Sequence, residues 1–133
     1  MSVYITREQD YALRVCMYLS QNGSKSVVPI SELAAAVAIS RPIATKIVYQ
    51  LKQHGIVGTT KGKNGGAFLL KKPYRIRLLD VLKAMGFQSS VNECLKIPGI
   101  CPFHEKCKVH RFFDRMNREL LAKLNRTKIS DFV

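Results

Sequence analysis

From Leu33 to Leu79 the chain carries no acidic residue, and inside that same stretch the apolar pattern switches from helix period to strand period in a fixed order. Pro29–Val37 sets Ile30, Leu33, Ala34 and Val37 on one helical face, and the tight break Ala38-Ile39-Ser40 follows at once. A second helix opens with Ser40 as N-cap, whose hydroxyl can accept an orphan backbone N–H, and with Pro42 in its first turn, where a missing N–H costs nothing. Its buried stripe is predicted to be Ile43, Ile47, Val48 and Leu51, and Gly55 closes it. Beyond Gly55, two strand-like runs (Ile56 to Thr60 and Ala67 to Leu70) flank Lys61-Gly62-Lys63-Asn64-Gly65-Gly66, and Asn-Gly between such runs signals a hairpin. Two short helices joined by a tight turn make a helix-turn-helix. With a basic hairpin directly behind it, the unit is a winged helix.

The rest of the chain fits around that unit. Thr6 to Gln21 reads as a helix with Ala12, Val15, Cys16 and Leu19 on one face, and Thr6 with Gln9 forms a capping box. Ile76 to Met85 is a further amphipathic helix stopped at Gly86. Phe87 to Cys107 is irregular, and from about Glu105 to Arg126 a long helix carries Val109, Phe113, Met116, Leu120 and Leu124, widened by Phe112 and Leu121. A chain of 133 residues has little spare core to cover such a stripe, so the helix is expected to pair with its copy in a homodimer. The expected fold is mainly α with a small β wing. Residues 1–86 form the winged helix-turn-helix domain, and residues 87–133 form a cysteine-containing loop and dimerisation helix.

Charge narrows the partner. Twenty-two lysines and arginines against nine acids give +13, and the acid-free stretch holds Arg41, Lys46, Lys52, Lys61, Lys63, Lys71, Lys72, Arg75 and Arg77. Such a run attracts polyanions and contributes salt-dependent affinity for a phosphate backbone. The second helix of a helix-turn-helix enters the major groove of double-stranded DNA with its first turns against base edges. Here those turns present Ser40, Arg41, Pro42, Thr45 and Lys46. Arg41 and Lys46 can donate to guanine or phosphate, and Thr45 can hydrogen-bond or set its methyl against thymine. Lys61, Lys63 and Asn64 at the wing tip are expected at backbone or minor groove. No apolar run approaches a membrane span, and the N-terminal residues show no signal-peptide pattern, which points to the cytoplasm. No nucleophile–base, P-loop or paired-carboxylate arrangement suggests an enzyme.

Three of the four cysteines crowd into one segment: Cys94, six residues, Cys101, five residues, Cys107, two residues, His110. In a cytosolic chain, clustered thiols argue for metal or redox chemistry rather than a disulfide framework. Thiolates ligate both zinc and iron–sulfur clusters, but the Cys-x-x-Cys knuckle usual in structural zinc sites is missing. Long gaps in a looping segment suit a larger cofactor. His110 follows Cys107 by about one helical turn and can face the same metal. A metal-free thiol or small-molecule sensor and a zinc-stabilised interaction module remain the alternatives at this point.

These residues together resemble the Rrf-type winged-helix regulators, over nearly the whole chain. The resemblance rests on Thr6 with Tyr11-Ala12-Leu13-Arg14, on Ile39-Ser40, on the wing from Lys61 to Gly66, on the three cysteines, and on Lys128-Ile129-Ser130-Asp131-Phe132-Val133. It implies a homodimeric transcriptional regulator, as a rule a repressor, whose affinity for a partly palindromic operator is controlled by a 2Fe-2S or 4Fe-4S iron–sulfur cluster. By that resemblance Cys94, Cys101 and Cys107 match the cluster thiolates. His110 matches the fourth ligand of the cluster-assembly branch, and Asp10 matches the carboxylate that the nitric-oxide-sensing branch supplies from the opposite subunit. The chain departs from the pattern in its six-residue first gap, in Ala38 where many relatives have glycine, and in Thr45 and Lys46, where the assembly branch has acidic and amide residues.

Overall fold

The structure, a computed structural model, describes residues 5–22, 26–88 and 107–133. Its elements run α1 (Arg7–Gln21), α2 (Ile30–Val37), α3 (Arg41–Gln53), β1 (Val57–Thr60), β2 (Gly66–Leu69), α4 (Leu78–Ala84) and α5 (Lys108–Arg126), with short 3-10 turns at Pro73–Arg75 and Ile129–Phe132. This is the mainly helical chain with a small antiparallel wing that the sequence pattern predicts.

Helix α1 is the central post. Its capping box forms in both directions: the Gln9 N–H donates to Thr6 Oγ1 at 3.1 Å, and the Thr6 N–H donates to Gln9 Oε1 at 3.0 Å. Ala12, Val15, Cys16 and Leu19 are buried at helical spacing and meet Leu33, Ile47, Leu51, Val57, Ala67 and Val81 in one core. Burial pushes the Cys16 thiol up to about 12, so this cysteine packs as a small hydrophobe. Tyr18 ties α1 to α2 by donating its hydroxyl to Glu32 Oε2 at 2.7 Å.

Between α2 and α3 the chain turns through Ala38, which sits left-handed at φ 61° and ψ 48°. It is the one non-glycine residue with positive φ among the described residues. An L residue there costs roughly 1–2 kcal/mol. The conformation lets the Ala38 and Ile39 N–H groups reach the carbonyls of Ala35 and Ala34 and so ends α2 within one residue. Ser40 then caps α3 by accepting the Ile43 N–H at 3.4 Å. The buried stripe of α3 is Ala44, Ile47, Val48 and Leu51, with Ile43 only half-buried beside it. The strict i, i+3, i+4, i+7 face therefore begins at the small Ala44 rather than at the larger Ile43.

Strands β1 and β2 pair antiparallel with Val57 opposite Leu69 and Thr60 opposite Gly66. A third extended segment joins them, because Val28 and Ala67 exchange two backbone hydrogen bonds of 2.8 Å. The wing turns through Gly62 to Gly65, where the Gly65 N–H donates to the Gly62 carbonyl at 3.0 Å, and Lys63 and Asn64 take the two tip positions. Gly65 and Gly66 are needed for close approach. A Cβ on the first would strike the Thr60 carbonyl, and one on the second the Val28 carbonyl. This fixes the wing against the start of α2.

The C-terminal segment returns to the body. Leu78 donates to the Thr127 carbonyl and Ile129 to the Ile76 carbonyl, both at 2.9 Å, and Ile129 is wholly buried in the α1 core. Helix α5 therefore has two unlike sides. Leu121 and Leu124 lie against Leu79, Leu82 and Phe87, whereas Val109, Phe112, Met116 and Leu120 are exposed. The broad apolar stripe read from the sequence is split between these sides.

Candidate nucleic-acid interface

The buried stripe of α3 fixes which of its residues face outward. Arg41, Pro42, Thr45, Lys46 and Tyr49 are all exposed and line one shallow depression. Ser40 stands at its N-terminal end as the cap. Two of these residues have partners. The Lys46 Nζ donates to Glu8 Oε1 in the first turn of α1 at 3.0 Å, so this cation is drawn toward α1. The Tyr49 hydroxyl accepts from Gln53 Nε2 at 2.8 Å. Neither Glu8 nor Tyr49 is among the sites read from the sequence. Tyr49 was legible there, being four residues after Thr45 and eight after Arg41 on one helical face.

Arg41 belongs to a second feature as well. A groove of about 410 Å³ runs between the start of α2 and the wing, lined by Pro29, Ser31, Arg41, Thr60, Lys61 and Lys63 among others. Lys61, Lys63 and Asn64 are exposed at the wing tip. The α3 face and the wing thus meet at Arg41 in one surface. Among the described residues no acidic side chain lines either depression. A surface of this kind can hold a phosphate backbone while one helix face remains open to base edges.

The thiol region is described in part. Cys94 and Cys101 lie outside the described residues. Cys107 is half-buried and is the N-cap of α5, its Sγ accepting the His110 N–H at 3.4 Å. His110 is half-buried one turn along. A thiol and, three residues on, an imidazole are donors that suit iron–sulfur or zinc ligation in kind. Asp10 is on the exposed side of α1 and holds Arg14, Nε to Oδ2 at 2.8 Å. That hydrogen bond raises the Arg14 guanidinium further above its ordinary value. Among the described residues no group of three His, Cys, Asp or Glu side chains converges on one point. No described helix is long and apolar enough to cross a membrane.

The class of the fold is a winged helix, with cations on the exposed α3 face and on the wing. Comparison with known proteins gives the family. The model of the Rrf2 family, described as iron-dependent transcriptional regulators, matches residues 5–133, and the chain belongs to that family. The chain is similar to the transcriptional regulator NsrR of Geobacillus kaustophilus, with 35% identity over 95 residues, covering 71% of this chain and 65% of that one. Among solved structures, IscR of T. potens superposes with a TM-score of 0.74 at 16% identity, over 97% of this chain and 85% of that one. CymR, the global cysteine regulator of B. subtilis, superposes with a TM-score of 0.75 at 19% identity, over 97% and 95%. The fold is thereby that of winged-helix regulators. The protein is a transcriptional regulator of the Rrf2 family, and its family members are regulators rather than enzymes.

Proposed function

We propose that this chain is a cytoplasmic, sequence-specific repressor that binds double-stranded operator DNA as a homodimer, with an affinity set by an iron–sulfur cluster. The observation that carries the DNA-binding part is the single surface joining the exposed α3 face to the wing through Arg41, with no acidic lining among the described residues. On this reading Ser40, Arg41, Pro42, Thr45 and Lys46 approach bases and adjacent phosphates in the major groove. Lys61, Lys63 and Asn64 hold the backbone or the neighbouring minor groove. Residues 1–86 read DNA, and residues 87–133 sense and pair. The exposed apolar side of α5, with Phe112 62% and Val109 59% accessible, supports pairing with a second copy. Two copies related by a two-fold axis would set their recognition helices about one DNA turn apart.

Cys94, Cys101 and Cys107 would hold the cluster, with His110 or Asp10 of the second copy as the remaining ligand. When bound, such a cluster supplies a group that oxidants or nitric oxide can alter or remove. The part played by the chain's own residues is mechanical. Cys107 caps α5, so what Cys107 binds is linked directly to the helix proposed to join the two copies. A change at Cys107 can then alter the spacing of the two α3 helices, and any such coupling is reciprocal between cluster and operator. For Asp10 to serve, it must leave Arg14.

One observation favours a second reading, a metal-free thiol sensor: Cys107 is a free cysteine and only half-buried. Anaerobic purification with an absorbance spectrum and iron and sulfide analysis separates the two, on wild type and Cys101→Ala. Brown protein with iron and sulfide, lost in the variant, is the expected result. Colourless protein after reconstitution would overturn the cluster, and stoichiometric zinc without sequence-specific DNA binding would favour an interaction module instead.

A further inference from the structure

The outward face of α3 is not evenly polar. Lys46 is drawn aside to Glu8 on α1, and Arg41 stands at the N-terminal end. What remains in the middle is apolar: the Pro42 ring, the Thr45 methyl and the ring of Tyr49, all lining the same depression. Tyr49 is 58% exposed, a large accessible area for an aromatic ring. Its hydroxyl accepts from the Gln53 amide, one helical turn along, at 2.8 Å. An exposed apolar strip on a helix proposed to read DNA calls for an apolar counterpart. In the major groove the base edges offer one, the C5-methyl group of thymine.

We propose that Pro42, Thr45 and Tyr49 form a thymine-methyl reading strip, and that Tyr49 is a specificity-determining residue of this regulator. The inference rests on the DNA-binding reading above and adds which base feature is read. Pro42 and Tyr49 are seven residues apart, about 10 Å along a helix with a rise of about 1.5 Å per residue. That span covers about three base-pair steps of about 3.4 Å. Each half-site should therefore carry its methyl-dependent thymines within a window of about three base pairs. Arg41, at the end of the strip, takes a guanine or a phosphate beside that window.

The test starts from a duplex selected by the wild-type protein out of a random pool. Each thymine of the selected site is then replaced singly by deoxyuridine, which removes the methyl group alone, and affinity is read by fluorescence anisotropy. We expect replacement at one or two positions in a window of about three base pairs to weaken binding about four-fold, as for one buried methyl group. Tyr49→Ala should bind the thymine and uracil forms of one or more of those positions equally, while Tyr49→Phe keeps the discrimination. Because Tyr49 is exposed, its replacement leaves the core intact, and a circular dichroism melt checks this. A selected motif whose affinity is indifferent to every uracil replacement would overturn the strip and leave the DNA-binding reading standing. So would full discrimination retained by Tyr49→Ala. Absence of any selected motif would overturn both.

Discussion

Glu8 offers the most direct way to alter the reading face without touching it. Its carboxylate accepts Lys46 Nζ at 3.0 Å, with the two side chains 42% and 58% exposed, so a DNA phosphate must compete with it for the lysine. An exposed pair of this kind is worth about 0.2–1 kcal/mol. Releasing Lys46 by Glu8→Gln should therefore tighten DNA binding by at most about five-fold at low salt, since about 1.4 kcal/mol is tenfold. The freed lysine adds one phosphate contact, which steepens the slope of log affinity against log salt by about 0.9. Phosphate contacts carry no sequence information, so operator and scrambled duplex should gain alike. The same change removes one acid from the first turn of α1, where Asp10 remains, and should lower stability by about 0.3–1 kcal/mol. Anisotropy titrations between about 50 and about 200 mM salt measure the slope. In the background of Lys46→Gln the effect of Glu8→Gln should vanish, as a double-mutant cycle would report. A slope and affinity unchanged by Glu8→Gln would show that the pair does not restrain Lys46, and a gain that persists without Lys46 would show that the lysine is not the route.

Three further outcomes follow from the turn at Ala38 and from the core. Ala38→Gly relieves a left-handed alanine at an exposed site; the strain relieved is about 1–2 kcal/mol and the added backbone entropy loss about 0.5–1 kcal/mol, so the melting temperature should rise by a few degrees, and a fall would contradict the strain assignment. Ile129→Ala, at a side chain with no exposure, should cost about 2–4 kcal/mol in urea unfolding, whereas a loss under about 1 kcal/mol would mean that the C-terminal segment does not anchor the core. For Cys16 the folded-state value of about 12 lies above the 9.0 of an unperturbed thiol, so its contribution to stability is complete below pH about 9 and declines as pH rises toward about 12. Cys16 should accordingly resist alkylation in the native chain at pH about 8 and react on unfolding; rapid native labelling would refute its burial.

Local chemistry was the legible part of this chain. The Thr6–Gln9 capping box, the Ser40 cap, the glycine-rich wing and the α1 face each depend on residues within a few positions of one another, and each forms as the sequence predicts. What escaped was non-local or decided by size. The pairing of Val28 with Ala67 crosses 39 positions, and nothing near Val28 marks it as a strand. Glu8 and Lys46 meet across 38 positions, a match that charge pattern alone does not select. Ala44 was passed over for Ile43 because hydrophobicity outweighed spacing, although spacing decides which side faces the core. On α5 the period revealed an apolar stripe but not its division, since only packing against α4 assigns Leu121 and Leu124 to the body. Tyr49 was passed over because an aromatic on a helix is usually core, although its spacing from Thr45 and Arg41 sets it on the exposed face.

The central claim, that the state of the thiol centre sets DNA affinity, is tested most directly by one comparison. Anaerobically prepared, iron-loaded protein is titrated onto its selected operator, and the titration is repeated after the iron has been removed by a chelator. Coupling between two sites is typically worth about 1–3 kcal/mol, so the two affinities should differ by about 5- to 150-fold, and the Cys101→Ala variant should match the iron-free form. Iron-loaded and iron-free protein binding the operator with the same affinity would contradict the account.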